Sequence, residues 1–301
     1  MNLQTVWSLL NEAYEPLDEY PMTATMNVAA ELNLPAGWFT WMTAGVMLGG
    51  DGITAEKYMR LFPYGLAETH EGRFASAVQQ GYLTVNDKGE YRLFNSGTDV
   101  VQKILYLLDV SVDHLHPMPT ERLQILVDTL KRLADESFAV PEPPAKWLIS
   151  SKRRYLPPAD GSCLLRYLIY YYDQIAAYRD DVYVAMWSAH GVKGHTWNAL
   201  DQLIQGGALT FGDLYEKVKG RGITEQVHTA DVKELVGRGW AEESSGVVKA
   251  TEAGKQARAE VEAETERIFF APWSCLNESQ LEDLSSLAGQ LRDELKKQET
   301  L

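Results

Sequence analysis

The pattern of apolar and polar positions between Leu209 and Phe270 reads as helix, helix, hairpin, helix. The spacing predicts one helix opening at Thr210 and a second over Thr224–Arg238, which Gly239 stops. Two short extended pieces follow, Trp240–Glu243 and Val247–Ala250, joined by Ser244-Ser245-Gly246. A long charged helix then leaves from Glu252.

The N-terminal half carries a similar succession. Leu3, Val6, Trp7, Leu10 and Tyr14 recur at helical steps and predict a short helix over 3–16. Pro16 and Pro21 are expected to break the chain before a second helix, Thr23–Leu32. After the boundary at Leu34-Pro35, an apolar helix covers Gly37–Leu48 and ends at Gly49-Gly50. Thr54 can cap a helix to Phe62, and Glu68–Gln80 is the next, closed by Gly81. Tyr82–Val85 and Glu90–Phe94 read as strands around the turn Asn86-Asp87-Lys88-Gly89, and a helix runs on from Asn95-Ser96-Gly97 to Leu108.

The two stretches overlay as an internal repeat. Gly49-Gly50 falls on Gly206-Gly207, Tyr58 on Tyr215, Gly89 on Gly246 and Gly97 on Gly254, all at an offset of 157 (206 − 49). Gly81-Tyr82 matches Gly239-Trp240 at 158, and Ile53-Thr54 matches Leu209-Thr210 at 156. The matched glycines sit at element ends, where backbone geometry needs them, and this favours a duplication.

Helical segments lie between the halves. Thr120–Ala134 carries Leu123, Ile125, Leu126, Leu130 and Leu133, and Pro141–Pro144 reads as a loop. Ser151–Pro158 holds Lys152-Arg153-Arg154, which could meet phosphates but more commonly reads as solvated loop charges. A long aromatic helix, Gly161–Ser188, is expected to bridge the halves, and an amphipathic helix over Asn277–Lys297 closes the chain. The expected fold is mainly α with small β-hairpin wings. Two winged-helix-like units related by internal duplication are joined by long helices. The blocks are 1–115 (N-terminal unit), 116–190 (helical connector) and 191–301 (C-terminal unit with C-terminal helices).

Composition narrows the class. The longest apolar runs, such as Gly37–Gly49, are too short to span a bilayer, and no signal peptide is evident. Cys163 and Cys275 lie far apart without CxxC spacing, which suits free thiols and a cytoplasmic location. A net charge of −14 argues against broad, sequence-independent nucleic-acid binding and leaves room only for a local basic surface.

On these residues, 209–270 resemble the winged-helix domains of MarR-type bacterial regulators. The ending Lys249-Ala250-Thr251-Glu252-Ala253-Gly254-Lys255 is similar to their "wing strand, Thr-x-x-Gly, long helix". Residues 24–97, through Val28–Leu34, Ile53–Leu61 and Gly81–Phe94, resemble the dimerisation domain of small-molecule O-methyltransferases. No Gly-x-Gly-x-Gly loop follows a strand, so their cofactor domain is missing. The C-terminal half, with Ala189-His190-Gly191-Val192 and Glu264-Thr265-Glu266-Arg267, is similar to an uncharacterised bacterial family of tandem winged-helix proteins.

A winged helix places its second motif helix in the major groove. In Thr224–Arg238, Val227, Ala230, Leu235 and Val236 are expected to face the core. Glu225, Gln226, His228, Thr229, Asp231, Lys233 and Glu234 are then outward, and three carboxylates against one lysine make a poor surface for phosphate. Glu68–Gln80 is expected to expose His70, Arg73, Ser76, Gln79 and Gln80. The candidate DNA contacts are Arg73, Gln79, Lys217, Lys219, Arg221, Gln226, His228, Thr229 and Lys233. The competing reading is a winged helix kept for packing or protein contacts.

Other chemistry is sparse. His190, His195, His114 and His116 lack metal-ligand spacing and suit caps and turns, so no metal or cofactor is expected. Glu262, Glu264 and Glu266 form a solvated face, and no catalytic triad or P-loop can be assembled, so no enzyme activity is expected. Trp38, Trp41, Tyr171, Tyr178 and Trp187 pack a core or line a pocket for an apolar effector between the halves. The expectation is a winged-helix transcriptional regulator binding double-stranded DNA, ligand-responsive if that pocket exists, with no membrane partner and self-association left open. The alternative is a non-DNA-binding scaffold or small-molecule-binding module.

Overall fold

The computed structural model describes residues 2–49 and 52–298. Gly50, one of the glycines on which a repeat is expected, lies outside them. The chain opens on one helix, α1 (Leu3–Glu31), where the sequence predicts two. Pro16 and Pro21 both lie on its buried stripe with Val6, Leu10, Ala13, Leu17, Thr25 and Val28. An interior proline costs roughly 3 kcal/mol. Here both rings are buried in a helix that packs along the last helix, α13 (Glu278–Gln298), and tertiary packing decides the helix instead of propensity.

The first unit comprises α2 (Trp38–Leu48), α3 (Ala55–Leu61), α4 (Ala67–Gln79), β1 (Leu83–Val85), β2 (Tyr91–Leu93) and α5 (Asn95–Val110). Thr54 caps α3, its Oγ1 accepting from Lys57 N at 3.1 Å, as expected. Ile53 exchanges backbone hydrogen bonds of 2.7 and 2.8 Å with Tyr91 beside the β1–β2 hairpin.

Three connector helices follow: α6 (Thr120–Ala139), α7 (Trp147–Tyr155) and α8 (Leu164–Ser188). The basic run expected in a loop stands in the last turn of α7, where cations complement the helix dipole. Lys152 pairs with Asp173 at 3.1 Å and Arg153 with Asp135 at 2.6 Å. The Asp181 carboxylate accepts from Leu148 N at 2.9 Å and Ile149 N at 3.0 Å, satisfying the start of α7 from the neighbouring α8. No local signal announces this cap.

The second unit comprises α9 (Gly194–Gly206), β3 (Leu209–Thr210), α10 (Phe211–Val218), a 3-10 turn over Lys219–Arg221, α11 (Glu225–Gly237), β4 (Ala241–Ser244), β5 (Val247–Ala250) and α12 (Glu252–Phe269). Thr210 and Thr224 cap the two motif helices, accepting from Asp213 N and Val227 N. Ser245 and Gly246 take φ of 53° and 79°, the conformation a tight two-residue hairpin demands. The sheet order is β3-β5-β4. The sequence pattern misses α9 because its first turns are buried on every side, including His195, Thr196 and Asn198, so no apolar stripe stands out.

The units share more than element order. Ile53 pairs with Tyr91 as Leu209 pairs with Val248. Tyr82 N donates to Ala77 O at 2.9 Å, as Trp240 N does to Leu235 O at 2.9 Å. A Cβ on Gly97 would run into Tyr82 O, and one on Gly254 into Trp240 O. Both glycines let a helix start touch the backbone ahead of the wing.

Among the described residues there are three hydrophobic cores, and they do not follow the blocks 1–115, 116–190 and 191–301. The two winged units hold one each, around Trp41 and Phe74 and around Trp197 and Leu235. The third joins α6 and α8 to both ends of the chain, with Val6, Leu10 and Leu17 packed in one cluster with Leu284, Leu291 and Leu295. No helix among the described residues is long and apolar enough to cross a membrane.

Candidate nucleic-acid interface

The orientation of α11 is set by a buried polar cluster. Asp231 is 3% exposed, and its carboxylate accepts from His195 Nδ1 at 2.8 Å and Thr196 Oγ1 at 2.7 Å. Both donors belong to the first turn of α9. A carboxylate taken out of water needs such partners, so Asp231 holds α11 with one face turned toward α9.

That face is not the expected one. His228, Asp231, Val232 and Leu235 are buried, while Ala230 and Val236, expected in the core, are exposed. Two of the three carboxylates counted against a DNA surface therefore leave it. Asp231 is inside, and Glu234 is half-buried and paired with Arg238 at 2.9 Å. Arg238 also donates to His190 O and Gly191 O at 3.1 Å, tying α11 to the end of α8. The outward stripe runs Gln226, Thr229, Ala230, Lys233, Gly237 and contains no carboxylate. Glu225 stands beside it in the first turn, where an acid complements the helix dipole.

The basic residues flank this stripe unevenly. Lys217 and Lys233 are exposed. Lys219 pairs with Glu216, and the Arg221 guanidinium sits 5.1 Å above the ring of Tyr64. The wing adds Glu242 and Glu243, with Lys249 bound to Glu242 at 2.8 Å. His228 is not a DNA contact: it is fully buried against Phe211 and Tyr215, and burial pushes its imidazole below the usual value.

The first unit presents no equivalent surface. Its second motif helix, α4, buries His70 beside Tyr58, and burial lowers that imidazole to about 4. Arg73 turns inward and donates to Thr40 Oγ1 at 3.0 Å, so it leaves the candidate DNA contacts. Gln79 stays exposed, but the outward positions beside it are Glu68, Glu71, Gly72 and Ala75, with no cation.

The turns of the two motifs meet each other. Thr69 Oγ1, in the first turn of α4, donates to Gly222 O at 2.8 Å. Pro63 O lies where a side chain on Gly194 would be, and Tyr64 packs 5.9 Å from Trp187. Gly222, with φ of 80°, both turns the chain and admits Thr69.

Residues 177–301 match a helix-turn-helix family. The match begins inside α8 and takes in the whole second unit with α12 and α13. No curated protein and no solved structure matches the chain. This helix-turn-helix is the one whose motif helix turns a carboxylate-free stripe outward.

The remaining candidates separate. Trp41 lies in the first unit's core, with Trp38 packed against it. Tyr178 and Tyr171 belong to the central core, and Trp187 to the second unit's. The five aromatics therefore line no common pocket. His190 stacks on Trp197, and His114 meets Tyr20 edge-on. Among the described residues no group of three or more His, Cys, Asp or Glu gathers as for a metal. The sequence pattern missed the Asp231–His195–Thr196 cluster because its partners lie 35 and 36 residues apart.

Proposed function

We propose that this chain is a DNA-binding transcriptional regulator that acts through its C-terminal helix-turn-helix and binds without catalysing a reaction. The observation that carries the reading is the outward stripe of α11. Gln226 can bond an adenine edge, Thr229 and Ala230 can approach a thymine methyl, and Lys233 can reach guanine or phosphate. Lys217, Lys219 and Arg221 lie on the preceding helix and turn, where a helix-turn-helix meets the phosphate backbone. The resemblance to MarR-type regulators supports the reading through Thr251 and Gly254, which open α12 after the wing.

The first unit is read differently. Its helix α4 has no outward cation, and its turn packs on the turn of the second motif, which favours a duplicated winged helix kept as a protein-facing brace. The matched glycines and the matched bridges Ile53–Tyr91 and Leu209–Val248 support a common origin for the two units. Selection of bound fragments from genomic DNA, followed by footprinting, tests the assignment. Protection lost with Gln226→Ala and Lys233→Ala but kept with Gln79→Ala is the expected result. Protection equally sensitive to Gln79→Ala would overturn the division of labour between the units.

A further inference from the structure

The first unit holds the turn of the second motif from outside. Tyr64 lies in the link between α3 and α4, yet its ring packs against the second unit's core, 5.9 Å from Trp187 in the last turn of α8. Burial pushes its hydroxyl up to about 12, so the ring is neutral around pH 7. The Arg221 guanidinium lies over that ring, 5.1 Å from its centroid. At the next residue, Thr69 Oγ1 donates to Gly222 O at 2.8 Å. A Cβ on Gly65 would stand 3.0 Å from Arg221 O, so the missing side chain lets the two turns close up. Tyr64, Gly65 and Thr69 therefore all bear on Arg221-Gly222. Glycines flank Arg221 on both sides, and glycine loses more freedom on ordering than any other residue, so this turn gains most from an outside hold.

We propose that Tyr64 is a positioning residue for DNA binding, its ring fixing Arg221 where α11 meets the phosphate backbone. The role rests on the DNA-binding reading of the second unit and supplies a reason for the first unit's place beside it. Lys219 is paired with Glu216, whereas Arg221 is exposed and rests on a neutral ring that leaves its charge uncompensated. A guanidinium above a ring keeps N–H donors that the ring does not use, and a phosphate can accept two of them. Ordering that side chain beforehand removes an entropy cost that binding would otherwise carry.

The test is equilibrium binding of the full chain to fragments selected from genomic DNA, with proton NMR of the Arg221 side chain read in the absence of DNA. Arg221→Ala should weaken binding about tenfold and lower the salt slope by about one. Tyr64→Leu should weaken it about fivefold, whereas Tyr64→Phe, which keeps the ring, should stay within about twofold of wild type. Tyr64→Leu placed on Arg221→Ala should bring no further loss, because the ring acts only through that guanidinium. In the free protein the ring current should shift the Arg221 side-chain protons in the wild type and in Tyr64→Phe but not in Tyr64→Leu. Tyr64 also packs on Trp187, so the rescue by phenylalanine and the double variant separate positioning from a loosened core. No loss from Tyr64→Leu, an equal loss with and without Arg221, no rescue by phenylalanine, or unshifted Arg221 protons in the wild type would each overturn the positioning role and leave DNA binding standing. A wild type that binds no fragment would instead remove the DNA-binding reading, and the positioning role with it.

Discussion

Asp231 and Lys233 stand two residues apart on α11, the first buried and the second exposed. In Asp231→Ala, His195 Nδ1 and Thr196 Oγ1 lose an acceptor at 2.8 and 2.7 Å. His195 is 8% exposed and Thr196 fully buried, so water does not replace it readily. Stranding a buried donor costs about 1–3 kcal/mol, and two donors share this acceptor. Thr196 Oγ1 has Glu234 at 3.5 Å as a poor substitute, which trims the total. The expected loss is about 3 kcal/mol of stability in the second unit. Asp231→Asn keeps the shape and one acceptor oxygen, and should lose about 2 kcal/mol. Urea unfolding followed by hydrogen exchange in α9 and α11 measures both. Thr196→Val should matter in the wild type and hardly at all in Asp231→Ala, because the two share one contact. If Asp231→Ala changes stability by less than about 0.5 kcal/mol and tightens DNA binding, Asp231 faces the groove and the orientation of α11 is wrong.

Three further outcomes are expected. Gly97→Ala and Gly254→Ala should each destabilise their unit by about 2–4 kcal/mol, because the new methyl meets a backbone carbonyl that has no room to move. Gly289→Ala, with open space inside α13, should instead raise the unfolding midpoint by about 1 kcal/mol of stability. His70 has a folded value near 4, below its unfolded value of about 6.5, so its contribution is complete above pH 6.5 and drains away as pH falls toward 4. Unfolding of the first unit followed across that window should show the loss, and His70→Phe should flatten it.

Much of the fold was legible because its signals are local. Thr54 caps the helix it was expected to cap, Thr210 and Thr224 stand where the two motif helices were expected to open, and Ser245-Gly246 makes the hairpin turn. What escaped depends on distant partners. The prolines of α1 are tolerated because tertiary packing buries both rings, and α7 exists partly because Asp181 reaches across from α8 to its first amides. The face of α11 was misread for a related reason. His228 and Asp231 look like surface residues until Phe211, Tyr215, His195 and Thr196 are placed around them. Of the nine candidate DNA contacts, His228 and Arg73 drop out by burial and by the bond to Thr40. Gln226, Thr229 and Lys233 keep their places on one stripe.

Equilibrium binding to selected genomic fragments between roughly 50 and 200 mM salt tests the central claim most directly. The account predicts affinity that falls linearly in log–log form, with the slope reduced by about one ion in Lys233→Ala and in Lys217→Ala and unchanged in Arg73→Ala. Absence of binding at the lowest salt, or a slope indifferent to Lys233 and Lys217, would contradict it.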